Sequence, residues 1–193
     1  MESVCFEDGT ILHIEDIALA KLLKYVQRSG SSKEAGGVLI GKQIQDREEY
    51  YLCDISEPSR MDKRSRFSFI RSKISAQRIV DKKWHDSNGI ENYLGEWHSH
   101  PENCPTPSHT DRELIQQVIK DDTNVFKKVF LIIVGKDQSL YIGIANSNIS
   151  NEIYTSLIWC FNETTLIISK KPGNTGISRD IRTEFTTDLL LSD

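Results

Sequence analysis

The chain has 193 residues, enough for one domain with a sizeable hydrophobic core. Hydrophobic residues make up 38% and charged residues 27%, and a net charge of −4 with pI near 5.8 argues against broad binding to nucleic acid or anionic membranes. The longest apolar run, VFLIIV (129–134), is too short to span a bilayer, and MESVCFEDGT lacks the basic and apolar parts of a signal peptide, so a cytoplasmic location is expected.

Taken in chain order, EDIALAKLLKYVQRS (15–29) has Ile14, Ala18, Leu22 and Val26 at helical spacing and predicts an amphipathic helix. GGVLIGK (36–42) predicts a short strand opened by glycines, and EYYLCDIS (49–56) its antiparallel neighbour. EPSRMDKRSR (57–66) reads as a basic loop and FSFI (67–70) as a short strand. Ile74, Ala76, Ile79, Val80 and Trp84 mark a second helix that stops at SNG (87–89). NYLGEWHSH (92–100) is a strand, and SHTDRELIQQVIKDD (108–122) is a helix with Leu114, Ile115, Val118 and Ile119 turned inwards. KVFLIIVG (128–135) predicts a central strand that forms a hairpin with SLYIGIAN (139–146). EIYTSLIWCF and TTLIIS are later strand candidates. These elements describe a single α/β domain over residues 1–170, a mixed sheet flanked by helices, with a partly ordered tail at 171–193. The four cysteines contain no CxxC pair, which suits free thiols in a reducing compartment.

The densest chemistry is GEWHSHPENCPTPSHTDREL (95–114). His98 and His100 are two residues apart on a strand, so both face the same side, close enough to share one metal ion. Three prolines limit the loop that follows, which delivers Ser108 and Asp111 to the first turn of a helix. A His2Asp set leaves one zinc position open for water, as catalytic sites do. The same Ser-x-x-Asp also reads as a capping box with Ser108 as N-cap. On these residues alone both readings stand, and a capping serine and a ligating aspartate can share one helix start.

The string H-S-H-P, seven residues, then S-x-x-D resembles the signature of the JAMM zinc metallopeptidases, the catalytic JAB/MPN family. KEAGGVLIG (33–41) is similar to that family's upstream glutamate motif. The resemblance covers residues 15–146 in layout and implies a JAB/MPN-like (cytidine-deaminase-like) fold. It implies one Zn2+ held by His98, His100 and Asp111, with Glu34 as general base and Ser108 as a donor to the oxyanion. Glu96, on the same strand face as the histidines, is expected to orient the site, while Trp97 faces the core and Cys104 is a bystander. A Trp before the first histidine is similar to a bacterial subgroup that accompanies ubiquitin-like conjugation machinery in CBASS antiphage operons.

That likeness implies an isopeptidase acting after a ubiquitin-like C-terminal tail. It would reverse conjugation of a cGAS-like nucleotidyltransferase by an E1–E2-like fusion, with no nucleic acid or membrane as partner. The basic residues Arg60, Lys63, Arg64, Arg66, Arg71 and Lys73 either guide such a tail or form a solvated loop. A peptidase processing a sulfur-carrier or phage-tail protein, or a non-catalytic MPN scaffold, remains as an alternative. A zinc deaminase is excluded, since its H-x-E…P-C-x-x-C signature is absent.

Overall fold

The structure is a computed structural model that describes residues 1–121, 123–146, 153–160 and 163–169, with side chains described up to residue 146. The chain runs β1 (Glu2–Cys5), β2 (Ile11–Ile14), α1 (Asp16–Leu23), β3 (Gly36–Gln43), β4 (Glu49–Ile55), β5 (Lys63–Arg64) and β6 (Phe69–Ile70). It continues through α2 (Lys73–Asp86), β7 (Asn92–Ser99), α3 (His109–Ile119), β8 (Lys128–Val134), β9 (Leu140–Asn146), β10 (Ile153–Cys160) and β11 (Glu163–Ser169). Nine strands form one sheet in the order β1-β2-β4-β3-β7-β8-β9-β10-β11, and β5 pairs with β6 as a separate ribbon. β2 with β4 and β7 with β8 are parallel, and the other pairs are antiparallel, so the sheet is mixed as expected.

Alternation along the central strands assigns each face to its helices. Phe130, Ile132 and Val134 of β8 pack with Ala18, Leu19 and Leu22 of α1. Val129, Leu131 and Ile133, from the opposite face, pack with Ile115 and Ile119 of α3. α2 places Ala76 and Val80 against Val38 and Ile40 of β3 on that second face. β8 is buried along its whole length, which is why it reads as an uninterrupted apolar run.

The first helix is shorter than predicted. It ends at Leu23, and Ile14 belongs to β2 while Val26 lies beyond the helix, although both are buried. Their spacing marks residues that face one core from three different local structures. β1 and β2 lie where no element was predicted, since each is only four residues long. Ile74, Trp84 and Leu114 keep helical spacing but are exposed, because their helices bury narrower stripes centred on Ala76, Val80, Ile115 and Ile119. The expected tail at 171–193 lies outside the described residues.

A β-bulge in β7 prepares the site. Pairing with β3 shifts between Gly95↔Leu39 and Tyr93↔Ile40, which brings Tyr93 and Glu96 to one face. Gly95 is required there: its φ is +152°, and a Cβ would stand 2.0 Å from the Phe130 carbonyl oxygen.

Candidate metal centre

β7 ends in Trp97, His98 and Ser99, and strand alternation divides their tasks. Trp97 points into the core, where Nε1 donates to the Ser56 carbonyl at 3.0 Å. His98 and, just past the strand, His100 emerge on the other side with their Nε2 atoms 3.1 Å apart. His100 stays in register because its backbone N–H donates to the Val134 carbonyl at 2.9 Å.

The loop to α3 is held at several points. Lys136 N donates to the Glu102 carbonyl at 2.6 Å, the Ser139 hydroxyl donates to the Asn103 carbonyl, and Pro105 and Pro107 are buried. It exits at Ser108, the N-cap of α3. Asp111 N donates to Ser108 Oγ at 3.2 Å and Ser108 N to Asp111 Oδ2 at 2.7 Å, a full capping box. The box also aims the Asp111 carboxylate at the histidines. Oδ1 lies 3.3 Å from His98 Nε2, and Oδ2 lies 3.7 Å from His100 Nε2. Both sequence readings of Ser-x-x-Asp are therefore compatible with one geometry.

These donors suit a cation. Nitrogen or oxygen ligands about 2.0–2.1 Å from a tetrahedral zinc stand about 3.3–3.4 Å from one another. The 3.1 Å between the histidines and the 3.3 Å from Asp111 Oδ1 to His98 lie near that spacing, and one donor atom from each of the three side chains falls within 4.8 Å of the others, a group able to hold a metal ion. The electrostatics agree. Burial and then the neighbouring His98 hold His100 below the usual histidine range, which favours the neutral imidazole that ligates metals. Burial pushes the Asp111 carboxyl up, but the hydrogen bonds of His98 and Ser108 outweigh it and hold the group well below the usual carboxylate range. Glu102 Oε2 approaches the other nitrogen of His100, Nδ1, at 3.8 Å.

Glu34 comes from a separate segment, just before β3. Its backbone N–H donates to the Ser65 carbonyl at 2.7 Å, and its carbonyl accepts from Arg64 Nε at 2.6 Å. Its neighbour Ala35 exchanges hydrogen bonds with Ser99, which lies between the two histidines. Gly36 pairs with His98 across the strands and has no room for a side chain, because a Cβ would lie 2.4 Å from the Phe69 ring. Glu34 is 6% exposed and close enough for His98 and Asp111 to act on its charge. Burial pushes its carboxyl up to about 7.

The structure thus brings His98, His100, Asp111, Ser108 and Glu34 into one neighbourhood. Glu96 is buried and bonded to Arg71 and to the Tyr93 hydroxyl, and the charge of His98 acts on its carboxyl. Cys104 and His109 are exposed. Within the basic loop, Arg64, Arg66 and Arg71 donate to the protein's own groups, whereas Arg60, Lys63 and Lys73 are exposed. Gln27 and Ser99 have buried polar side chains that the sequence reading did not single out, since neither stands in a spaced motif.

Residues 18–146 match the family model described as prokaryotic homologs of the JAB domain. The chain belongs to the prokaryotic JAB family. Its JAB domain is 36% identical over 130 residues to a CD-NTase/cGAS isopeptidase of Vibrio cholerae, covering 67% of this chain and 80% of that protein. It is 31% identical over 147 residues to a protein of the same name from Escherichia coli, covering 76% and 86%. A Pseudomonas aeruginosa protein, also named CD-NTase/cGAS isopeptidase, is 36% identical over 106 residues, 55% of this chain and 66% of that protein. The matched JAB region contains both the Glu34 segment and the His98–Asp111 cluster.

Proposed function

We propose that this JAB domain is a zinc-dependent isopeptidase that hydrolyses the bond after a ubiquitin-like C-terminus, releasing a conjugated cGAS-like nucleotidyltransferase. One observation carries the reading: His98, His100 and Asp111 converge to within 3.1–3.7 Å at the side of a buried glutamate. The names of the relatives support the substrate class.

His98 and His100 through Nε2, and Asp111 through its carboxylate, would hold the metal. When bound, zinc supplies Lewis acidity and lowers the pKa of a water molecule to about 7. Glu34, buried and close enough to the cluster to feel the charges of His98 and Asp111, is placed to accept that proton and later to release it to the departing amine. Its burial excludes competing solvent and its backbone bonds fix its approach. Ser108 Oγ accepts from Asp111 N, so its own O–H is available to donate to a developing oxyanion. The cap that orders the helix thereby also aims a donor. Exposed Arg60, Lys63 and Lys73 give the neighbouring loop a positive rim that favours an acidic or carboxylate-bearing tail.

The test is cleavage of ubiquitin-like fusions extended past their C-terminus, and of fusions to a cGAS-like nucleotidyltransferase. We expect turnover by the zinc-loaded protein, loss of it with a chelator and with Glu34→Gln, and loss of bound zinc in His98→Ala. Turnover by Glu34→Gln would remove that residue from the base role. Stoichiometric zinc in His98→Ala would defeat the ligand set. Tight binding of the fusions with no cleavage under any metal would favour a scaffold instead.

A further inference from the structure

We propose that Gln27 and Ser99 form a buried hub that positions Glu34 relative to the two histidines. The proposal rests on the reading of Glu34 as the base and adds what sets its place.

Gln27 is 2% exposed and Ser99 is 0% exposed, yet neither faces an apolar neighbourhood alone. The Gln27 carboxamide meets three segments of the chain. Nε2 donates to the Ser32 carbonyl at 3.2 Å, two residues before Glu34. It also donates to the Arg66 carbonyl at 3.0 Å, next to Ser65, whose own carbonyl receives the Glu34 N–H. Oε1 accepts from the Ser99 hydroxyl at 3.3 Å. Ser99 Oγ in turn accepts from Ala35 N at 3.0 Å, and Ser99 N donates to the Ala35 carbonyl at 2.8 Å.

The segment with the base, the loop beside it and the strand carrying both histidines are thus closed into one hydrogen-bonded ring. Every partner in that ring is a main-chain group or one of the two hub side chains, so the ring sets backbone positions directly. Glu34 lies between its two anchored neighbours, Ser32 and Ala35, with no reach to adjust except its own side chain. Losing an anchor lets the carboxylate drift, and a displacement near 1 Å can cost roughly a hundredfold in rate. The ligand set is untouched by that drift, because His98, His100 and Asp111 are aimed by β7 and the α3 cap.

The experiment compares zinc-loaded wild type with Gln27→Met, Ser99→Ala and Ser99→Thr, using the extended ubiquitin-like fusion as probe. We expect kcat to fall roughly ten- to a hundredfold in Gln27→Met and Ser99→Ala, with KM and zinc content unchanged and Ser99→Thr close to wild type. Amide exchange at Glu34 and Ala35 is expected to quicken in both variants while exchange across β8 stays slow. Glu34→Gln serves as the control for the base. If it retains turnover, the base reading fails, and the exchange pattern alone then decides whether the hub holds that segment. Unchanged exchange at Ala35 in Ser99→Ala overturns the proposal. So does a loss of kcat that only tracks the loss of folded, zinc-loaded protein.

Discussion

Arg71 grips Glu96 at two points inside the protein, Nη2 to Oε1 at 2.7 Å and Nε to Oε2 at 3.2 Å, with the Tyr93 hydroxyl donating to Oε1 at 2.8 Å. Burial pushes the Glu96 carboxyl up, and Arg71 and Tyr93 work against that rise. The pair joins the start of α2 to β7 two residues before His98. Removing Arg71 alone leaves a buried carboxylate without its cation, so Arg71→Ala is expected to cost about 3–5 kcal/mol. Adding Glu96→Gln should recover part of the loss, since the stranded charge disappears. Urea denaturation of the two variants and wild type reads both values; equal stability of Arg71→Ala and wild type would mean the pair carries no net stabilisation.

Asp54 gives the fold a defined acid sensitivity. It accepts from Lys21 Nζ at 2.6 Å and lies 2.7 Å from Lys83 Nζ, tying β4 to α1 and α2. Burial raises its carboxyl, but the hydrogen bonds of Lys21 and Lys83 outweigh it and hold the group below its ordinary value. A depressed carboxyl stabilises the fold above its unfolded pKa of about 3.9, and the contribution is lost as pH falls through the folded value. Wild type should therefore exceed Asp54→Asn by about 1–2 kcal/mol from pH 7 down to about 4, with the gap closing at lower pH. Urea titrations across that range measure the gap; one that widens on acidification would contradict the assignment.

Much of this was legible because strong local patterns coincide with buried strands. KVFLIIV is apolar throughout because β8 is covered on both faces, and Trp97 and His98 alternate because β7 separates core from site. His98, His100 and Asp111 could be paired because their spacing is short in sequence. What escaped depends on tertiary context. Gln27 sits in a run of helical periodicity, and no neighbour in sequence reveals that its amide will be buried among Ser32, Arg66 and Ser99. Arg64 and Arg71 read as members of a basic loop that either guides a tail or is solvated, because their acceptors, the Glu34 carbonyl and the Glu96 carboxylate, lie some thirty and twenty-five residues away. The short strands β1 and β2 are supported by pairing rather than by their own composition.

The bulge at Gly95 should be intolerant of any side chain. Its φ of +152° disfavours L-residues, and a Cβ would meet the Phe130 oxygen at 2.0 Å, a backbone atom of the adjacent parallel strand. Relief requires β7 to move away from β8, which would carry His98 with it. Gly95→Ala is expected to lose at least about 3 kcal/mol of stability and to bind zinc more weakly even where it folds. Thermal melts and metal titration test this. A variant with wild-type melting and affinity would show that the strand can shed the bulge at little cost.

Ser108 has two proposed tasks that substitution can separate. As N-cap of α3 it accepts from Asp111 N, and as an active-site donor it would offer its O–H to the oxyanion. Glycine is nearly as good an N-cap as serine, whereas alanine costs about 1 kcal/mol at that position. Ser108→Gly should therefore melt close to wild type and Ser108→Ala below it. If the hydroxyl also stabilises the transition state, both variants lose about 10²–10³ in kcat regardless of their stability, and Ser108→Thr retains most of it. If the serine only caps, activity follows melting temperature, and Ser108→Gly remains nearly as active as the wild type. Steady-state kinetics beside thermal melts of the three variants distinguish the two patterns, because one ranks the variants by helix stability and the other by the presence of a hydroxyl.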